Sequence, residues 1–274
     1  MRVTVAGRVH EGRAVDLDGV DATAVVRAVR GAEAPVGVEC PTPGTVHDHV
    51  GLLPPSSFDR RGALAAAARA LGHESAAAAA LAEARAELAE ASAPTVDLRE
   101  ARRRVAEAGT EAERLRERVA ELRGRVQARR ETGADTTAVE AQLEEATGRL
   151  AEAETERIAA EQALDRAEAA AREARDRRER RLELEDRVAN LERRVREELA
   201  AAVWERFRSA VEAVPGTATA GASPGEYEGD SVTAALGVAR VAPLDAPVVV
   251  DGLDRFSGAG PAAEALEAPV IYTR

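Results

Sequence analysis

Two runs of apolar residues at alternating three- and four-residue spacing approach a single glycine from opposite sides, and this constrains the chain more than any other feature. The first run places Leu98, Val105, Ala112, Val119 and Val126 in one heptad set and Ala101, Ala108, Leu115 and Leu122 in the other. The second carries Leu143, Leu150, Arg157, Leu164 and Ala171, with Val139, Ala146, Ala153, Ala160, Ala167 and Ala174. Arg and Glu fill the positions between, which is the grammar of a coiled-coil seam with charged flanks. In an antiparallel pair, facing residue numbers sum to a constant. Taking 265 sets Leu122 on Leu143, Val119 on Ala146, Leu115 on Leu150 and Ala112 on Ala153, and only Ala108 opposite Arg157 interrupts the apolar seam. The same constant puts the tip of the hairpin near 132–135, where Gly133 stands and no seam residue does.

Prolines bound the pattern. Walking outward, the first run can stay helical back to Ser56, just after Pro54 and Pro55, and the second on to Val214, just before Pro215. Proline ends a helix by removing a donor and clashing with the preceding turn, so two stops at nearly equal distance from one tip fit a folded-back hairpin. Gly72 and the Ser92–Thr95 stretch interrupt the first run. Opposite them, 176–184 turns to arginine at Arg178 and Arg181 before the seam resumes out of phase at Leu184, Val188, Leu191 and Val195. A joint is expected there, at 92–95 and 176–184.

Outside this arm the two ends have a different grammar. MRVTVAG and GRAVDLDG read as a strand hairpin, DATAVVRAV as a helix and PVGVEC as a strand. At the other end DSVTAALGVARVA and APVVVDG read as strands, GPAAEALE as a helix and APVIYTR as a closing strand. Asp18-Gly19-Val20-Asp21 leads through a helix to Glu33-Ala34-Pro35-Val36, and Asp251-Gly252-Leu253-Asp254 leads likewise to Glu267-Ala268-Pro269-Val270. That likeness suggests an internal repeat related by an approximate twofold axis. The expected fold is therefore α+β and mainly α by residue count. Residues 1–55 and 215–274 form the halves of a small α/β head, and 56–214 form an inserted antiparallel coiled-coil hairpin.

Composition narrows the chemistry. All 38 basic residues are Arg, so neither a P-loop lysine nor a Schiff-base lysine is available. Only six residues are aromatic, which limits the size of any compact core. A net charge of −11 with no Lys fits a salt-loving archaeon, or a high-GC actinobacterium. Arg102, Arg103 and Arg104 can touch phosphates, but on a helix equally rich in Glu they read as a solvated face; nucleic-acid binding is not indicated by charge. One Cys excludes an intramolecular disulfide. The N-terminus lacks the apolar core of a signal peptide, and nowhere do about 18 apolar residues run together, so a cytoplasmic protein without membrane spans is expected.

Candidate sites are few. Cys40, His47, Asp48 and His49 in CPTPGTVHDH have the ligand types that zinc takes, with His10 or an acid as a fourth partner, but Cys-x6-His-x-His is no standard spacing and reads as a strand-end Cys and a polar loop. No nucleophile elbow, zinc helix or dinucleotide fingerprint occurs, so no catalytic, cofactor or metal residue is assigned. Val248-Val249-Val250-Asp251 looks like a Walker B strand, and Ser257-Gly258-Ala259-Gly260 faintly like an ABC signature. With a hairpin inserted between two half-heads, these residues resemble the plan of the structural-maintenance-of-chromosomes proteins and their DNA-repair relatives. That resemblance implies a magnesium-holding acid at Asp251. The chain departs from it: Gly252 stands where a Glu is usual, the glycine stretch follows the Walker-B-like strand instead of preceding it, and there is no Walker A loop. As a whole the chain also resembles uncharacterised coiled-coil proteins of haloarchaea, a likeness that implies no function. The expected role is a non-enzymatic scaffold with protein partners. The alternatives are an accessory or degenerate relative of chromosome-organising ATPases, acting with DNA or an ATPase partner, and a metal- or nucleotide-binding regulator.

Overall fold

The computed structural model describes residues 1–92 and 94–274. In chain order its elements are β1 (Arg2–Val5), β2 (Arg8–Glu11), β3 (Ala14–Leu17), α1 (Ala22–Val29), β4 (Val36–Glu39), α2 (His47–Val50), β5 (Leu52–Leu53), α3 (Arg60–Ala70), α4 (Ala78–Glu90), α5 (Arg99–Glu131) and α6 (Thr137–Ala202). They are followed by α7 (Trp204–Ala213), β6 (Ala218–Ala220), β7 (Tyr227–Gly229), α8 (Ser231–Val241), β8 (Val248–Asp251), α9 (Ala259–Leu266) and β9 (Val270–Thr273). The fold is α+β and mainly α, with two compact units: Met1–Ala84 with Arg187–Arg274, and Arg85–Asp186. Both boundaries lie further into the chain's middle than the proline stops at 55/56 and 214/215.

The first unit is built on a parallel four-stranded sheet of order β3-β9-β8-β5. Its register pairs Val15 with Ile271, Val249 with Ile271 and Leu53 with Val250. The run Val248-Val249-Val250 is fully buried, as a parallel strand covered on both faces must be. On one face Val248, Val250, Val270 and Tyr272 pack with α3, α7, α8 and α9. On the other, Val249, Ile271, Val15 and Leu17 pack with α1 and with the antiparallel sheet β2-β1-β4. The alanines at 63, 65, 66, 67 and 68 of α3 are all buried. That is why 57–84 joins this unit: small side chains let α3 lie close against α8.

Three local expectations are corrected. β1 makes its hairpin with β2 and not with 12–19, because Ala6 (φ 47) and Gly7 (φ 79) supply the paired positive φ of a two-residue turn. β3 then runs parallel to β9 in the other sheet. Ser231–Val241 is helix rather than strand: the Asp230 side chain accepts from Thr233 N, and the segment is apolar nearly all round, as a buried helix is. The proposed repeat shares its Asp-Gly turns, with Gly19 at φ 68 and Gly252 at φ 53, but β8 and β9 are parallel neighbours whereas β3 and β4 lie in different sheets. The two segments are therefore not equivalent βαβ units. Asp21 caps α1, while the residue at the start of α9 is Gly258 and not Asp254.

The second unit is the antiparallel hairpin of α5 with α6 as far as Asp186, together with the end of α4. Val119, Leu122 and Val126 of α5 cluster with Val139 and Ala146 of α6, with Leu143 and Leu150 packed against them, as the pairing sum of 265 requires. Arg116 to Glu154 (3.2 Å) and Arg130 to Glu140 (2.8 Å) tie the flanks across the seam. At the tip, Gly133 takes φ 64 and Asp135 accepts from Thr137 N (3.1 Å). Arg157 pairs along its own helix with Glu161 at 2.7 Å. The expected joint at 92–95 includes Ala93, outside the described residues; 91–92 and 94–98 carry neither helix nor strand, while α6 continues unbroken past 176–184. Arg181 donates to Ala91 O at 3.0 Å, a sum of 272. Among the described residues, no helix is long and apolar enough to cross a membrane.

Candidate functional site at the carboxyl ends of the parallel sheet

In an open parallel sheet, ligands bind beyond the carboxyl ends of the strands, where successive crossovers leave to opposite faces. Here α1 follows β3 onto the face of Val15 and Ile271, and α9 follows β8 onto the face of Val250 and Tyr272, with β9 between them. That switch point is the candidate site, and it brings together several residues singled out in the sequence: Asp18, Asp21, Asp251 and the Ser257–Gly260 stretch.

The chain's own atoms occupy its hydrogen-bonding groups. The Asp21 carboxylate accepts from Thr23 N (3.4 Å) and Ala24 N (2.9 Å) at the start of α1. The Asp16 carboxylate reaches from β3 to accept from Ala259 N (2.9 Å) at the start of α9. Gly258 is required there, since a Cβ would stand 2.9 Å from Asp16 Oδ1. Gly19 N donates to Arg274 O (3.0 Å), and Gly252 N to Thr273 O (2.9 Å). Thr273, fully buried, donates its hydroxyl to Asp251 Oδ1 at 2.8 Å. Asp251 is thus held at the end of its strand by a residue of β9, where the resemblance implied a magnesium-holding acid.

The loop after β8 is pinned. Tyr272 Oη donates to Leu253 O (2.8 Å) and lies 3.2 Å from Phe256 O; the Arg274 guanidinium sits 5.3 Å from the Tyr272 ring centroid and bonds Ser257 O. Arg255 donates to Thr233 Oγ1 (2.7 Å), Pro215 O (3.2 Å) and Asp230 (3.1 Å). Burial alone would raise the Asp230 carboxyl. Bonds from Thr233 and the Arg255 charge outweigh it and hold the group down to about 2. These contacts join the loop to α8, a partnership invisible while α8 reads as a strand.

The cysteine–histidine cluster does not converge as a ligand set. Cys40 Sγ lies 3.9 Å from Val29 O, and burial raises its thiol. His10 sits on β2 in the antiparallel sheet, paired with Val3. His47 is 1% exposed, with Nε2 2.8 Å from Pro247 O and Nδ1 unpartnered. Asp48 pairs with Arg30 at 3.1 Å. Among the described residues, no group of three His, Cys, Asp or Glu is placed to hold a metal ion. His47, Asp48 and His49 instead line a cleft of about 410 Å³ with Arg30, Ser56 and Ser57. Sequence reasoning missed the last three because their roles depend on α1 and the loop after β5 meeting in space.

No curated protein and no solved structure matches this chain. The profile of one family does, over residues 12–270, spanning both halves of the α/β unit and the whole hairpin. The chain belongs to that family, described as a family of unknown function (DUF7856).

Proposed function

We propose that this chain is a non-catalytic scaffold, with the α/β unit as a docking module and the helical hairpin as a spacer. One observation carries the reading: at both helix starts of the switch point a leading amide is already met by a carboxylate of the same chain, Ala24 N of α1 by Asp21 and Ala259 N of α9 by Asp16. A phosphate seeks those donors, and here it would also meet Asp18 and Asp251 nearby, without a lysine to offset them. Isothermal titration of the full chain with magnesium and ATP should give no heat of binding, and no phosphate release should follow. Magnesium-dependent turnover that disappears in Asp251→Ala would defeat the proposal.

A second reading has its own support. β9 lies between β3 and β8, Asp251 ends β8, and the hairpin enters between the two parts of the α/β unit. That plan fits a degenerate or accessory relative of chromosome-organising coiled-coil ATPases. Isolation of the tagged chain from its native host, at that host's working salt, separates the readings. A co-purifying ATPase or DNA favours the second; protein partners without either favour the first.

A further inference from the structure

We propose that α6 docks antiparallel on α6 of a second copy of this chain, about Leu182. Leu182 is 60% exposed, the most exposed large apolar side chain among the described residues. Leu184, 5% exposed, lies about 200° further round the helix and faces the opposite way. One turn to either side of Leu182 on its own stripe stand Arg178 and Asp186, both exposed. Among the described residues neither has an opposite charge within 4.0 Å, whereas Arg177 pairs with Glu173 (3.1 Å), Arg180 with Glu183 (3.9 Å) and Arg181 with Glu185 (2.9 Å) on the same stretch, where Arg175, Asp176 and Glu179 also have no ion pair.

Antiparallel pairing with residue numbers summing to 364 sets Leu182 on Leu182, Arg178 on Asp186 of the second copy, and Asp186 on Arg178 of the second copy. The face is thus complementary to itself in charge. Parallel pairing would set Arg178 on Arg178 and Asp186 on Asp186. Of the remaining positions, Arg175 meets Ala189, and Glu185, paired with its own Arg181, approaches Glu179 of the second copy, a like-charge contact that opposes the two Arg178–Asp186 pairs and keeps the association weak. A single helix crossing buries less than the roughly 1,000 Å² of a stable interface, so the association is weak and salt-sensitive.

The test uses the full chain with Cys40→Ser, so that any added cysteine is the only one. Leu182→Cys should form a disulfide between copies on mild oxidation, since a twofold axis at 182 brings the two side chains together. Ile158→Cys, 49% exposed on the same helix, is the control and should stay monomeric. In sedimentation equilibrium at low salt, Arg178→Asp and Asp186→Arg should each weaken dimerisation at least tenfold, and the double exchange should restore it. Circular dichroism confirms that each variant keeps its helix. Equal crosslinking at 158 and 182, or a double exchange no better than the singles, overturns the proposal. So does a monomeric chain whose Arg178→Asp variant loses affinity for a fluorescent 20-base-pair DNA duplex, because the face then serves nucleic acid.

Discussion

At the scale of single residues, His47 and Gly51 form one device. Gly51 has no room for a side chain, since a Cβ would stand 2.4 Å from His47 Nδ1 and 2.5 Å from His47 O. Gly51→Ala should cost about 1–3 kcal/mol of stability, as overpacking does, read as a lower urea midpoint at unchanged slope. The imidazole itself is tuned mainly by burial, which pushes its pKa below the ordinary 6.5; the Arg30 charge adds to this, and the Pro247 bond and Asp48 oppose it. The folded chain therefore holds His47 neutral while the unfolded chain takes up the proton first. Its contribution is complete above pH 6.5 and falls as pH drops below that value. Carboxylates act in a lower window. Glu198, bonded by Ser75, Arg194 and Ala77 N, and Asp230 are each held to about 2, against ordinary values of 4.5 and 3.8. Their contributions are present above those ordinary values and disappear on the way down to 2. Urea midpoints should thus fall in two stages on acidification, and His47→Gln should remove the first. A wild-type midpoint flat from pH 7 to 5 would contradict the assignment.

At the scale of elements, the hairpin and α8 show what periodicity reveals and what it hides. The seam of α5 and α6 was legible because a 3.5-residue repeat on two runs fixes both the faces and the register, and Val119, Leu122, Val139 and Ala146 are buried as that repeat demands. Leu122→Ala should cost the roughly 2–5 kcal/mol of a buried leucine, and the loss should appear in hydrogen exchange of the hairpin amides. Ser231–Val241 is apolar at nearly every position, so it has no period, and a short apolar run fits buried strand or buried helix equally. What decides it is tertiary. Gly237 lets α8 approach α7 closely, for a Cβ there would already lie 3.0 Å from both Phe207 and Val211. Gly237→Val should force the helices apart and lower the melting temperature more than the same change at exposed Gly148 of α6. The candidate site was legible only in part. Asp251 and the Ser257–Gly260 turn stand out in the sequence, but Asp16 as the cap of α9 does not, because it comes from a strand 243 residues away.

At the scale of the whole molecule, the two chain ends share one sheet. Among the described residues β3 pairs with β9 and β5 with β8, and the two N-terminal strands of this sheet are not neighbours. Neither end can complete it alone, and two isolated strands bury too little apolar area to offset the entropy of ordering them. The sequence suggested a head made from both ends; the alternation of strands within it depends on β9 entering between β3 and β8, which no local pattern encodes. The most direct measurement is thermal unfolding of a chain in which residues 85–186 are replaced by a short Gly/Ser linker, beside residues 1–84 alone. The joined form should melt in one cooperative transition with dispersed amide resonances, and residues 1–84 alone should show neither. A sharp transition from residues 1–84 alone would contradict the shared sheet and make the two ends separate domains.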